Sequence, residues 1–372
     1  MLGLSNAMTS GSNHEQLYSL LLDGDSDYLQ LQNNFSSAKI TVSVWYFNTT
    51  DSGTKAIFEN RNEGVPDGDD DLNRGILIYH SSDEKFIVKC QGVATGGPIM
   101  PVNQWVHGCM TYDPSLGSQN LKVYVDGVLR STANVTIAHD NTVWGNARIG
   151  RGNISDYYFP GSIDDVAVWD EVLDGDAVEA VYNSSKPFDL NYDRGNYDNS
   201  SDLVGYWRMG NGPFDDKVNG VVHDAHNPGF GDELVNDGNF DTDTAASTTG
   251  TYWTTGAGWT ISGGTANFNT TGNSTLIQNL SITSGKSYRI QISGAITSGR
   301  LKISAGSGLG DDSTFGLPLD LYYTHDGGTD DIQIRTIGSS VGYLDNISVK
   351  QLNGYPGLTS GTATFSTNTP DD

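Results

Sequence analysis

Short runs of alternating apolar and polar residues, each closed by Gly, Asp, Asn or Ser, recur along most of this chain. A period of two can bury one face of a strand but leaves no continuous stripe on a helix. Nine such runs lie between residues 17 and 170, among them "LYSLLLDGDSDYLQLQ" (17–32), "KITVSVWYFN" (39–48), "RGILIYH" (74–80), "NQWVHGCMTYD" (103–113) and "GSIDDVAVWD" (161–170). Strands at this spacing with turn residues between them form a β-sandwich or jelly roll. A second set runs from 258 to 350, including "GWTISGGTANFN", "KSYRIQISGAI", "DDIQIRTIG" and "VGYLDNISVK". The expectation is an all-β chain with two antiparallel β-sandwich (jelly-roll) domains joined by a polar linker or extension.

The expected boundaries follow composition. Residues 1–15 form an N-terminal arm, 16–185 the first sandwich, 186–231 a turn-rich extension docked on the first sandwich and leading into a linker, 232–352 the second sandwich, and 353–372 an extended or mobile C-terminal tail. Asp126-Gly127, between "LKVYV" and "VLRST", carries the signal of a type I′ hairpin turn. One helix is expected, in "GDAVEAVYNSS", capped by Asp174 and buried through Ala177, Val178 and Val181.

Charge narrows the partners. With 45 acidic against 20 basic residues, the net charge is −25. Such a surface repels phosphate backbones and anionic lipid, so neither nucleic acid nor membrane insertion is expected. Divalent cations are the charged ligands it favours, although the same charge also serves solubility alone. The N-terminus lacks the basic and apolar regions of a secretory leader, so synthesis in a cytoplasm is expected. Cys90 and Cys109 both sit in strand runs, where two buried thiols or one bridge are compatible readings.

The stretch "GSIDDVAVWDEVLDGDAVEAVY" (161–182) holds seven carboxylates. Strict alternation would put Asp164 in phase with Val166 and Val168, leaving Asp165 and Asp170 toward solvent. In "YLDNISVK" it would put Asp345 in phase with Ile347 and Val349. An ionised carboxylate at a core margin requires a cation or several hydrogen-bond donors. A second cluster places Asp67, Asp69 and Asp71 at alternating positions, but without the glycine and terminal glutamate of an EF-hand loop. No strand carries the paired acids of a glycosidase, and no nucleophile motif is present, so no catalytic residue is assigned and no enzyme is expected. "GSGLGD" (306–311) lacks the helix that a phosphate loop needs. Tyr157, Tyr158, Tyr252 and Trp253 lie in loop-like stretches, where an aromatic ring either packs a core or stacks on a sugar.

"SLLLDGDSDYLQL", "ITVSVWYF", "NQWVHGCMTYD", "LKVYVDGVLRS" and "YFPGSIDDVAVWDEVLDGDAVEAVY" together resemble the laminin-G-like (concanavalin A-like) jelly roll over about residues 16–185. "ELVNDGNFDTD…GWTISGGTANFN…YLDNISVK" is similar to the jelly rolls of carbohydrate-binding modules. In such families calcium commonly ties the last strand to the first. The resemblance therefore implies calcium ligands at Asp164 with Asp23 and Asp25, and at Asp345 with Asn236, Asp237 and Asp241; the alternating Asp67, Asp69 and Asp71 are a second choice, read from their own spacing as a free-standing calcium loop. The layout also resembles laminin-G-like virion proteins of tailed, especially marine, phages. That implies a virion structural or adhesion protein made in the host cytoplasm. It would contact other virion proteins, form a homo-oligomer and bind cell-surface glycans. The alternatives are a secreted or cell-surface bacterial glycan-binding protein and a polysaccharide hydrolase.

Overall fold

A computed structural model describes residues 16–31, 35, 37–61, 75–136, 147–152, 157–244, 246, 248–305, 314–325 and 327–370. The chain divides into two compact units, Met1–His226 with Gly357–Asp372, and Asn227–Pro356. The second unit is thus an insertion in the sequence of the first.

The first unit opens with β1 (Ser19–Asp23), β2 (Tyr28–Leu31), β3 (Ile40–Asn48), β4 (Lys55–Arg61), β5 (Gly75–His80), β6 (Lys85–Cys90) and β7 (Val93–Ile99). It continues with β8 (Trp105–Tyr112), β9 (Leu121–Val125), β10 (Val128–Ala133), β11 (Arg148–Ile149) and β12 (Pro160–Trp169). After them come helix α1 (Gly175–Tyr182), β13 (Leu203–Trp207) and β14 (Val221–Val222). One sheet has the order β10-β9-β8-β3-β12-β1 with β13 also on β12, and the other contains β2-β11-β4-β5-β6-β7. Between the sheets, Tyr46 of β3 stacks on Phe86 of β6 at 5.7 Å and meets Phe159 edge-on. Gly108 of β8 is required there, because a Cβ would collide with the Phe86 ring. Asp126 and Gly127 both have positive φ, as the β9–β10 turn demands.

β3 is buried on both faces apart from the half-buried Phe47. The reason is a second apolar layer on the outer side of its sheet. Cys109, Tyr124, Ala167 and Trp169 meet Val178 and Val181 of α1, and Phe188, Leu190, Tyr197 and Tyr206 from the following segment. Asp174 caps α1 through the N–H of Ala177 at 2.8 Å. Residues 186–226 therefore belong to the first unit, as expected of an extension docked on the first sandwich, and much of that segment forms its outer layer. Both thiols are buried and unbridged, and burial pushes both thiol pKa values up.

The second unit contains β15 (Phe230–Glu233), β16 (Thr254–Thr255), β17 (Trp259–Ser262), β18 (Thr265–Thr271), β19 (Ser274–Asn279) and β20 (Ser287–Ala305). It ends with β21 (Thr314–Phe315), β22 (Leu319–Thr324) and β23 (Asp331–Leu352). Four separate runs in the sequence become two long strands here, β20 and β23, because bulges near Gly294 and Ser298 replace the expected breaks. Trp253, Trp259, Phe268, Tyr288 and the flanking Ile and Leu side chains fill the core. Among the described residues no helix is long and apolar enough to cross a membrane.

The C-terminal segment differs from the expected tail. β24 (Gly357–Ser360) inserts between β14 and β2, and β25 (Thr364–Ser366) pairs with β1. Polar side chains rather than apolar ones hold it. Buried Asp27 accepts the Thr362 N–H at 2.5 Å, and Asn368 accepts from Trp105 Nε1 at 3.1 Å. Low apolar content hid these strands from a hydropathy reading. A chain ending at Pro356 should lose the cooperative thermal transition of the first unit and keep that of the second, as followed by calorimetry. Two unchanged transitions would show that β24 and β25 are dispensable.

Candidate functional site

The acids of the closing strand β12 do not alternate. Asp164 pairs with Trp45 and Ala167 with Ser43, so Asp165 and Val166 together oppose Val44. This is a β-bulge, with Asp165 at φ 41°. It resets the phase, so that Ile163, Val166 and Val168 face the sandwich core while Asp164, Ala167 and Trp169 face the outer layer. Asp165 is 3% exposed rather than solvent-facing. Its carboxylate accepts from Tyr206 Oη at 2.7 Å and from Gln16 Nε2. Asp164 Oδ1 accepts the Asp165 N–H at 2.8 Å. Burial works against the Arg208 charge, but Tyr206, Asp165, Asp189 and Asp164 outweigh it and raise its pKa.

Beside the bulge, Ser43 Oγ and His107 Nε2 lie 2.7 Å apart. Burial pushes the imidazole pKa down to about 3, against the pull of the Asp165 carboxylate. A small cavity lined by Ser43, Trp45, Asp165, Val181, Pro187, Phe188 and Leu190 adjoins them. The trio falls short of a nucleophilic triad. Among the described residues His107 Nδ1 makes no hydrogen bond, so none of their carboxylates orients the ring, and Ser43 is 1% exposed.

The other acids singled out in the sequence are held by their own loops. Asp23 is exposed, and its Oδ1 accepts the N–H groups of Asp25, Ser26 and Asp27. Its small burial acts upward, but these bonds hold its pKa at about 2. Asp23 pairs with Pro160, four residues from Asp164 along β12, a rise of roughly 13 Å. Asp23 and exposed Asp25 therefore do not share a ligand shell with Asp164. In the second unit Asp237 accepts from Thr242 and Asp243, and exposed Asp241 accepts from Asn239. Asp345 sits in a bulge, because Ser293 pairs with Asn346 and Gly294 with Leu344, and the extra residue turns it to solvent. Its expected inward phase is corrected by that bulge. Among the described residues no group of three or more His, Cys, Asp or Glu is placed to hold a metal ion. Asp67, Asp69, Asp71, the 306–311 loop and the 1–15 arm lie outside the described residues.

The buried acid that sequence reading missed in this unit is Asp243. It accepts backbone N–H bonds from Thr244, Thr251, Tyr252 and Trp253. Burial acts upward on its pKa, yet the four donors together hold it below the ordinary value.

Of the four candidate aromatics, Trp253 is fully buried, packs on Phe240 and donates to the Asp237 carbonyl at 3.0 Å. It is a core residue and cannot stack on a ligand. Tyr252 is 41% exposed, and Tyr157 is half-buried. Tyr158, also half-buried, belongs to a cluster. Its ring lies 6.4 Å from that of Tyr28, and the Arg151 guanidinium sits 4.8 Å from Tyr28 and 5.4 Å from Tyr158.

Strand register places Tyr28 on the face of the second sheet turned away from the sandwich core, where Gln30 is half-buried and Arg148 and Glu59 are buried. Leu29, Ile149 and Phe58 pair across β2, β11 and β4 and are fully buried. Their neighbours Gln30, Arg148 and Glu59 also pair in register, and alternation turns them the other way. Tyr28, two residues before Gln30, shares that face. Arg148 Nε donates to Gln30 Oε1 at 3.0 Å, and Arg61 donates to Glu59. Burial lowers the Arg148 pKa, and the nearby Arg151 charge adds to this. The signal for these two arginines was present in "NARIGRG", a basic pair without an acid beside it in a strongly acidic chain.

Residues 23–179 match the family described as the concanavalin A-like lectin/glucanases superfamily. The matched stretch is less than half of the chain and lies within the first unit, so the likeness is one of that unit to the superfamily. A comparison with curated proteins finds no match. Among solved structures, a proposed carbohydrate-binding protein from Bacteroides ovatus ATCC 8483 is 16% identical, with a TM-score of 0.42. That alignment covers 57% of this chain and 56% of that one, so the chain spans little more than half of that protein. The heptameric SAP-like pentraxin of Limulus polyphemus is 21% identical over 46% of this chain and 84% of its own, TM-score 0.37. The CBM40 of Ruminococcus gnavus IT-sialidase, bound to α2,3-sialyllactose, is 16% identical over 44% and 96%, TM-score 0.37. At these scores no ligand carries over from them to this chain.

Two measurements test the bulge. Tyr206→Phe removes one donor from buried Asp165 and should lower unfolding free energy by about 1–3 kcal/mol in denaturant titration; a change near zero would show that the bond is not structural. The His107 shift sets a pH dependence. Its pKa is about 3 when folded and about 6.5 when unfolded. Between these values only the unfolded chain takes the proton, so this stability is complete above roughly pH 6.5 and falls as the pH drops toward 3. Wild type should therefore lose more stability than His107→Gln between pH 7.5 and 4.5.

Proposed function

We propose that this chain is a non-enzymatic glycan-binding protein of the adhesion type, and that the outer face around Tyr28, Arg151 and Tyr158 holds the sugar. The observation that carries the reading is the pair of half-buried tyrosine rings around a guanidinium, set beside Gln30 and Arg148 on a rigid sheet. A sugar presents an apolar ring face, which stacks on aromatic carbon, and a rim of hydroxyls, which takes hydrogen bonds from Arg and Gln. Both kinds of partner lie on this face, and the lectin membership of the superfamily supports the same use.

The strand row across the face reads Leu358, Gln30, Arg148, Glu59, Leu77 and Lys89. Its single carboxylate, Glu59, is held by Arg61. A glycosidase needs two carboxyl groups across the scissile bond, so binding without hydrolysis is the better fit to this row. The virion placement implied by the layout belongs to the same proposal. It is checked by mass spectrometry of purified particles, where absence of the chain would remove it.

The glycan reading is tested by titrating the whole chain against a broad glycan array, followed by calorimetry on the hits. Tyr158→Ala should weaken any hit by roughly fivefold or more, the scale of one ring contact, with an unchanged melting temperature. An array without hits, or hits insensitive to both Tyr28→Ala and Tyr158→Ala, would overturn the assignment.

A further inference from the structure

The two units each place an arginine against aromatic rings, and the comparison between them is informative. In the second unit Arg289 lies 5.6 Å from Phe230 and 5.4 Å from Tyr322. Its guanidinium also grips Asp320 through Nε and Nη2 at 2.8 and 2.6 Å, and Gln291 donates to the same carboxylate. That arginine is neutralised within its own fold.

Arg151 is not. Its ring contacts match those of Arg289, yet among the described residues it makes neither a side-chain hydrogen bond nor an ion pair, and its Nε is out of water without an acceptor. This occurs in a chain where acids outnumber bases 45 to 20. Burial disfavours the charge on neighbouring Arg148, the Arg151 charge adds to this, and the Glu59 carboxylate acts the other way. Stacking between rings fixes a guanidinium and satisfies its faces, but its N–H edges still call for an acceptor. Two neighbouring guanidinium groups, one of them uncommitted, are costly to hold together unless an anion joins them.

We infer that the ligand of this face is an acidic glycan, whose carboxylate or sulfate group is taken up by Arg151 with Arg148 beside it while the sugar ring stacks on Tyr28 and Tyr158. The inference rests on the glycan reading above and names its substrate class. A guanidinium binds a planar carboxylate or a tetrahedral sulfate through two parallel N–H bonds, so both anions share the required chemistry.

The test uses matched pairs of probes on the full chain: oligogalacturonate against its methyl ester, sialyllactose against lactose, and sulfated against desulfated chondroitin oligosaccharide. The charged member of at least one pair should bind roughly 10- to 100-fold more tightly, the scale of a charge-assisted bond. The preference should shrink as salt rises. Which pairs respond separates carboxylate from sulfate. Arg151→Gln should abolish the preference, weakening the charged member far more than the neutral one until the two bind alike. Arg151→Lys, which keeps the charge but loses the fork, should retain part of it. Melting temperatures establish that the variants fold; should Arg151→Gln not fold, Arg151→Lys and the salt dependence of wild type decide. Equal binding of charged and neutral members would overturn the inference and leave the glycan reading intact. A preference that survives in both variants would also overturn it, by placing the anion elsewhere. No binding by any probe or any array glycan would remove both readings together.

Discussion

One additional residue in β12, set opposite Val44, decides which layer each later side chain of that strand enters. Before the bulge, Ile163 lies in the sandwich core; after it, Val166 and Val168 do, while Ala167 and Trp169 pass to the outer layer. The insertion would be unfavourable on its own, since it breaks the ladder and puts a non-glycine residue at positive φ. It is held by the aspartates it creates. Asp164 accepts the next backbone N–H, and Asp165 collects Tyr206 and Gln16, which come from opposite ends of the unit's first 226 residues. A buried carboxylate needs such donors. The chain that brings them is also the one that roofs the outer face of the sheet, so the bulge and the outer layer depend on each other.

The same rule governs other buried carboxylates of the chain. Asp27, Asp165 and Asp243 are all buried, and each is surrounded by N–H or O–H donors drawn largely from loops and distant segments. The acids in these places fasten chain crossings. Against this background, the Tyr28–Arg151–Tyr158 face stands out through the opposite sign and the opposite state of satisfaction. Its two rings flank a guanidinium that makes no side-chain hydrogen bond or ion pair among the described residues.

Much of the all-β architecture was legible from residue periodicity, as were the Asp126-Gly127 turn, the Asp174 cap and the apolar stripe of α1. Each of those signals is local, and each acts within a few residues of where it is written. Phase arguments failed at Asp165 and Asp345 for one shared reason. A bulge changes the side-chain phase, and nothing in the residues flanking it marks the position where the partner strand has one residue fewer. Trp253 was misjudged because loop-like sequence was equated with exposure, whereas its indole fills the second core. The C-terminal strands were misjudged because they are held by Asp27 and Asn368 rather than by apolar burial.

What the sequence by itself determined is the strand period, the turn and cap positions, the acidic composition, and hence the two sandwiches. Those properties depend on neighbours along the chain and on composition. Only the tertiary structure decided that residues 357–370 complete the first unit, that the paired acids of β12 serve an outer layer, and that Tyr28 meets Arg151 and Tyr158. These contacts join residues far apart along the chain, from 41 positions for Asp165 and Tyr206 to 335 for Asp27 and Thr362. Their energy depends on register and on which donors reach a buried group, and neither quantity is written in the local pattern of a single strand.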